Sequence, residues 1–210
     1  MFDWFAPQII EKRQSTFNGN IEVVKFMGKI SVRAGGYQQS GPLVERVWRK
    51  ALDSINVLIP GNKILILGLG CGVVARLVAE KWPGVKIVGV EIDPEMVKLG
   101  QKYFGLYRIP NLEIVIKDAF QFIDKSKLKK DEFDVIIIEI YRGKELPKKF
   151  TRFSFLDNCR KRVGKEGLAI VNILDFDGSL GKAGFIDRLA DKYRAPVLDV
   201  DFNRFLLIKP

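Results

Sequence analysis

The 210-residue sequence contains no histidine. That removes the side chain most often used as a base near neutral pH, excludes imidazole-based triads and makes a zinc site very hard to build. Cysteine is almost as scarce: Cys71 and Cys159 are the only two, too few for a disulfide framework. No apolar run approaches the length of a membrane span, and the opening Met-Phe-Asp-Trp-Phe-Ala-Pro-Gln lacks the basic start and continuous apolar centre of a secretory signal. The expected setting is therefore cytoplasmic, with no membrane contact; the aromatics Phe2, Trp4 and Phe5 suit a hydrophobic lid or a dimer contact better than a lipid surface. Repeats, low-complexity tracts and flexible linkers are also missing.

Lysine and arginine number 35 against 25 acids, a net charge of +10. Such an excess attracts anions, nucleic acid among them. No RNA module and no basic stripe interleaved with aromatics accompanies it, so a solvated Lys-rich surface is the simpler reading.

The chain is organised around Lys63 to Pro94. Ile64-Leu65-Ile66-Leu67 reads as a parallel strand covered on both faces. Gly68, Gly70 and Gly72 then allow a sharp turn in which a ligand can lie against bare backbone amides. Val74, Leu77, Val78 and Ala79 recur at helical spacing until Pro83-Gly84, and Lys86 to Val90 form a second strand ending in Glu91. An acid about twenty residues beyond such a turn, at the end of the second strand, is placed to grip a ribose diol.

Around this stretch, Asn18-Gly19 and Gly28 punctuate short alternating runs that predict an N-terminal β-hairpin, and Pro42 to Ile55 predicts an amphipathic helix. Further strands are expected at Leu112–Ile116, Phe133–Ile138 and Leu168–Leu174, with helices between them at Pro94–Phe104, from Ala119 to about Ile123, through Phe155, Leu156 and Val163, and through Phe185 and Leu189. Pro196–Val200 and Arg204–Ile208 close the chain as an antiparallel pair. The expected fold is α/β: a Rossmann-like, doubly wound, seven-stranded, mostly parallel sheet with an antiparallel C-terminal pair, preceded by the small hairpin. Residues 1–56 would hold the hairpin and leading helix, and 57–210 the Rossmann-like domain.

A dinucleotide turn reads G-x-G-x-x-G or G-x-G-x-x-A, but here the last position is Val73. A third glycine two residues after the second instead suits S-adenosylmethionine (SAM), which has no pyrophosphate to place at a helix N-terminus. Three acids, each just past the end of a consecutive strand, strengthen this reading. Glu91 would accept from the ribose hydroxyls and Asp118 from the adenine amino group, with the Ala119 amide donating to the ring. Glu139 would face the sulfonium.

With those residues in place, the sequence resembles the class I SAM-dependent methyltransferases, and within them the spermidine synthase-like branch. The resemblance runs from about Phe17 to the C-terminus and rests on G-G-Y-Q-Q-S-G-P-L-V-E-R-V-W, G-L-G-C-G, V-E-I-D-P, K-D-A-F-Q-F-I and F-D-V-I-I-I-E-I-Y-R-G-K-E-L-P. It implies that Gln39 sits at the methionine end of the cofactor and that the hairpin helps to form a homodimer. The cofactor-side set is then Gln39, Gly68, Gly70, Cys71, Gly72, Glu91, Asp118 and Ala119. Trp48, Tyr141 and Arg142 fall on the substrate side.

The departures from that branch bear on substrate. The family's strand-four motif carries two aspartates three residues apart; the matching positions are Glu139 and Arg142. A guanidinium about 4 Å from a diammonium substrate would cost about 4 kcal/mol at an effective dielectric near 20. Cys71 replaces an aspartate that can hold the donor's amino group, and Trp48 replaces a pocket tyrosine. Together these favour methyl transfer from SAM to a neutral or anionic small-molecule acceptor, with Glu139 orienting or deprotonating the nucleophile. The alternatives are aminopropyl transfer from decarboxylated SAM to an altered acceptor, and a non-catalytic SAM- or RNA-binding module.

Overall fold

The computed structural model describes residues 6–57, 59, 62–124, 132–144, 146–174 and 185–210. The lid or dimer contact expected of Phe2, Trp4 and Phe5 lies outside the described residues. Four strands open the chain: β1 (Gln8–Ser15), β2 (Gly19–Phe26), β3 (Lys29–Ala34) and β4 (Tyr37–Ser40). They pair antiparallel in chain order. The expected hairpin is β2 and β3, and two strands flank it. Those two escape sequence patterning because β1 is exposed along almost its whole length and β4 is Tyr-Gln-Gln-Ser, so neither alternates apolar with polar.

After α1 (Pro42–Ser54) comes the alternating region: β5 (Lys63–Leu67), α2 (Val73–Lys81), β6 (Lys86–Glu91), α3 (Pro94–Tyr103), β7 (Leu112–Ile116), α4 (Ala119–Asp124) and β8 (Phe133–Ile138). It continues through α5 (Phe153–Arg160), β9 (Val163–Leu174), α6 (Phe185–Tyr193), β10 (Val197–Val200) and β11 (Asn203–Ile208). The second sheet has the order β10-β11-β9-β8-β5-β6-β7. Strands β9, β8, β5, β6 and β7 run parallel, and β11 lies antiparallel to β9 and β10. One boundary differs from expectation: Val163 starts β9 instead of ending a helix. The helix stops at Arg160, and the Phe133 amide donates to the Arg162 carbonyl at 2.9 Å, drawing the chain straight onto β8.

Both faces of this sheet are covered, which explains why its strands are continuously apolar. Ile64 and Ile66 pack with Trp48, Leu52, Leu77 and Val78 on one side. Leu65 and Leu67 pack with Phe155, Leu156, Ile186 and Leu189 on the other. The small sheet is joined to this body by Ile21, Val23 and Val32 packing on Cys71, Met96 and Leu99. Successive strands β5, β6 and β7 build outward in one direction, and β8 and β9 in the other. The switch between β5 and β8 opens a crevice beyond their carboxyl ends, where ligands lie in such sheets.

Candidate active site

The glycine turn forms the floor of that crevice. Gly68 (φ +90°) packs so closely on β8 that a Cβ would overlap the Glu139 carbonyl, its carbon only 2.7 Å away. Its amide and that of Leu69 donate to the Val90 carbonyl at 2.9 and 3.0 Å, tying the turn to β6. Gly70 donates its amide to Glu91 Oε2 at 2.7 Å, and Asp93 donates to Oε1 at 2.9 Å. Glu91 therefore braces the turn before it meets any ligand. A carboxylate has about four acceptor positions, so two remain for hydroxyls. Burial pushes its carboxyl above the ordinary value, against the pull of the Asp93 and Gly70 amides.

The cavity above the turn has a volume of about 300 Å³ and is walled by Gly68, Gly70, Glu91, Asp118, Ala119 and Glu139. Gln39 and Arg142 also reach it, as do Thr16, Phe17 and Asn18 from the turn between β1 and β2. These last three were missed in the sequence. Their anchor is Asp93, which accepts from Ser15 Oγ at 2.5 Å and from Asn18 Nδ2 at 2.7 Å while capping α3 through the Glu95 amide. The small sheet thus completes the site across 75 or more positions of sequence, a separation that no local pattern reports.

Cys71 and Gly72 do not line the cavity. The Cys71 side chain is buried in the core that joins the two sheets, and its thiol is pushed up to about 12 mainly by burial. Its amide donates to Ser40 Oγ at 3.2 Å, so this residue serves the turn through its backbone. Gly72 is the left-handed N-cap of α2, and a Cβ there would overlap Leu106. Neither position presents a side chain to the cavity.

Asp118 caps the first turn of α4, its Oδ1 accepting from the Phe120 amide at 2.8 Å. Its Oδ2 is held by Lys149, from the 3₁₀ turn over Lys148–Thr151. Burial raises its carboxyl, but Lys149 and the backbone donors outweigh it and the net shift is downward. Lys149 has a second strand of connection to the site, since it also lines the cavity.

Beyond Glu139 the space continues into an annex of about 60 Å³ lined by Leu43, Val44, Val47, Trp48, Tyr141 and Phe202. Glu139 is the only carboxylate among the described residues that line it. Asn172 donates from Nδ2 to Glu139 Oε2 at 2.6 Å, and Asn203 donates to Asn172 Oδ1 at 2.9 Å, which fixes the orientation of the amide. Tyr141 donates its hydroxyl to the Asn172 carbonyl at 2.6 Å, and burial, with the neighbouring Glu139 charge, raises its phenol well above the ordinary value. Burial pushes the Glu139 carboxyl up to about 7, while Asn172 and Trp48 pull it down. A carboxyl poised there can take a proton near neutral pH. Asn172 and Asn203 lie on strands with no motif to mark them. Arg142 is exposed at the cavity rim, so solvent screens it and the repulsion expected from sequence is reduced.

Amides bare of Cβ atoms, a buried acid with spare acceptor positions and a cavity of this size fit an adenosine-type ligand. The fold and site together define a Rossmann-like nucleoside-binding domain with a second, smaller annex beside it. The model of the spermine/spermidine synthase domain matches residues 55–175, and the chain belongs to that family. Among its relatives is an eEF1A lysine and N-terminal methyltransferase homolog of Drosophila melanogaster, 27% identical over 56% of this chain and 18% of that one. Another is a polyamine aminopropyltransferase of Vibrio vulnificus, 29% identical over 53% of this chain and 37% of that one. The matched segments thus span well under two thirds of these relatives. In structure, a spermidine synthase in complex with the transition state analogue AdoDATO aligns with a TM-score of 0.80 at 20% identity, covering 96% of this chain and 73% of that one, a likeness of fold.

Proposed function

We propose that the protein is a SAM-dependent transferase that moves a methyl group to a neutral or anionic small-molecule acceptor. Family membership, with methyltransferases and aminopropyltransferases both among the relatives, supports the transferase class. When bound, SAM supplies an electrophilic methyl group on a sulfonium. The chain's own residues do the rest. Glu91 and Asp118 bind the nucleoside, the glycine turn leaves room for it, Glu139 takes the acceptor's proton, and the apolar annex excludes water.

The observation that carries methyl over aminopropyl transfer is that Glu139 is the one carboxylate among the described residues that line the annex. A diammonium acceptor needs fixed anions around both ends, and Glu139, poised near 7, supplies at most one. Arg142 at the cavity rim adds to this, because its guanidinium can pair with the methionine carboxylate that decarboxylated SAM lacks. A second reading, aminopropyl transfer to an altered acceptor, is favoured by the family match itself. Isothermal titration separates them: the proposal expects SAM to bind more tightly than decarboxylated SAM, and the reverse order would sink it.

A further inference from the structure

The turn between β1 and β2 carries an aromatic side chain that the fold itself does not use. Phe17 is 38% exposed and packs into none of the three apolar cores formed by the described residues. Other large apolar side chains are as exposed, but among the described residues Phe17 is the only one of them that lines the larger cavity. A lone exposed apolar side chain on an open surface needs no explanation; one that walls a concave site points to a ligand.

The turn is held firmly in place. Ser15 Oγ accepts from the Phe17 and Asn18 amides at 2.9 and 3.1 Å and donates to Asp93 Oδ2 at 2.5 Å, and Asn18 Nδ2 donates to the same carboxylate oxygen at 2.7 Å. Ser15 and Asp93 are both buried, so these bonds are shielded from water. Asp93 in turn donates its amide to Glu91 Oε1 at 2.9 Å. The turn that carries Phe17 thus hangs from the residue that steadies Glu91, which puts the aromatic at the Glu91 part of the cavity.

Resting on the reading of Glu91 as the ribose-binding acid, we infer that Phe17 is a further cofactor-binding residue, its ring lying against the ribose while Glu91 holds the hydroxyls. A ribose offers a polar edge of hydroxyls and an apolar surface of C–H groups, and the two residues answer one each. The ring gives the C–H surface an apolar partner. It also keeps water from the acceptor positions that Glu91 has left, where a hydroxyl's hydrogen bond gains strength as its surroundings dry. The small sheet thereby takes part in binding: it holds the nucleoside against the glycine turn, and so bears on where the sulfonium stands relative to Glu139.

The test titrates S-adenosylhomocysteine and methylthioadenosine, which share the nucleoside but not the amino-acid tail, into the parent protein, Phe17→Ala and Phe17→Leu. The inference expects Phe17→Ala to weaken both ligands by the same factor, about tenfold, the equivalent of about 1.4 kcal/mol. Phe17→Leu should recover most of that loss, and the free variants should melt level with the parent because the ring belongs to no core. In protein labelled with ¹³C at phenylalanine, nuclear Overhauser contacts should join the ribose protons of bound methylthioadenosine to one ring, assigned to Phe17 by its loss in Phe17→Leu. Unchanged affinities overturn the inference. So does a loss confined to S-adenosylhomocysteine, which would put the ring at the tail, or ring contacts to the adenine protons alone. A Phe17→Ala protein that melts several degrees lower without ligand would assign the ring to the fold and overturn it as well. Failure of both ligands to bind the parent is a different result: it overturns the cofactor reading itself, and this inference with it.

Discussion

Glu139→Gln should make the protein more stable while disabling it. The Glu139 carboxyl is raised from 4.5 to about 7, chiefly by burial. Between those values the folded state holds a proton that the unfolded chain has lost. Stability therefore falls as pH rises through this window, and the favourable contribution is complete only below about pH 4.5. Above pH 7 the ionised carboxylate costs the folded state about 3 kcal/mol, taking about 1.4 kcal/mol for each pH unit. Partial contact with the cavity reduces this to about 1–3 kcal/mol. Glutamine never ionises, and its Oε1 can still accept from Asn172. The variant should thus melt about 2–12 °C higher at pH 8 and nearly level with the parent at pH 4. Its methyl-transfer rate should fall by about 10²–10⁴, with SAM affinity almost unchanged. Differential scanning calorimetry at several pH values checks the first expectation. A difference absent at pH 8, or equal at both ends of the range, would refute the burial of an ionisable carboxylate on which the account rests.

Two further substitutions probe the cofactor side. Gly68→Ala must drive a Cβ into the Glu139 carbonyl from a positive φ, so we expect a loss of about 3 kcal/mol or more in chemical denaturation, or failure to accumulate folded protein. Lys149→Met removes the ammonium that occupies Asp118 Oδ2, and calorimetry should show SAM binding several-fold tighter because the adenine amino group no longer competes for that oxygen; unchanged or weaker binding would argue that adenine does not reach Asp118.

How much could be read in advance depended on how local each signal was. Ile64 to Leu67, the glycines and Glu91 are contiguous, and a buried parallel strand leaves an unmistakable apolar run, so the core of the fold and the cofactor end were legible. Glu139 and Asp118 were legible for a related reason: each stands within two residues of the end of a recognisable strand. Strands β1 and β4 were not, because an exposed or polar strand has no buried face to impose alternation. The Cys71 side chain could not be placed either, since whether it faces cofactor or core depends on how the small sheet docks. Asn172, Asn203 and Lys149 act through partners 31 to 33 positions away in sequence, and Asn18 through one 75 away. An asparagine in a strand or a lysine in a basic loop carries no local mark of such a role.

The central claim is that the chain transfers methyl groups. It is tested most directly by supplying SAM and decarboxylated SAM together, in equal amounts, with size-fractionated cell extract as the acceptor source and analysing the spent donor by mass spectrometry. Accumulation of S-adenosylhomocysteine, abolished in Glu139→Gln, is the predicted result; accumulation of methylthioadenosine in its place would contradict it and assign the protein to aminopropyl transfer.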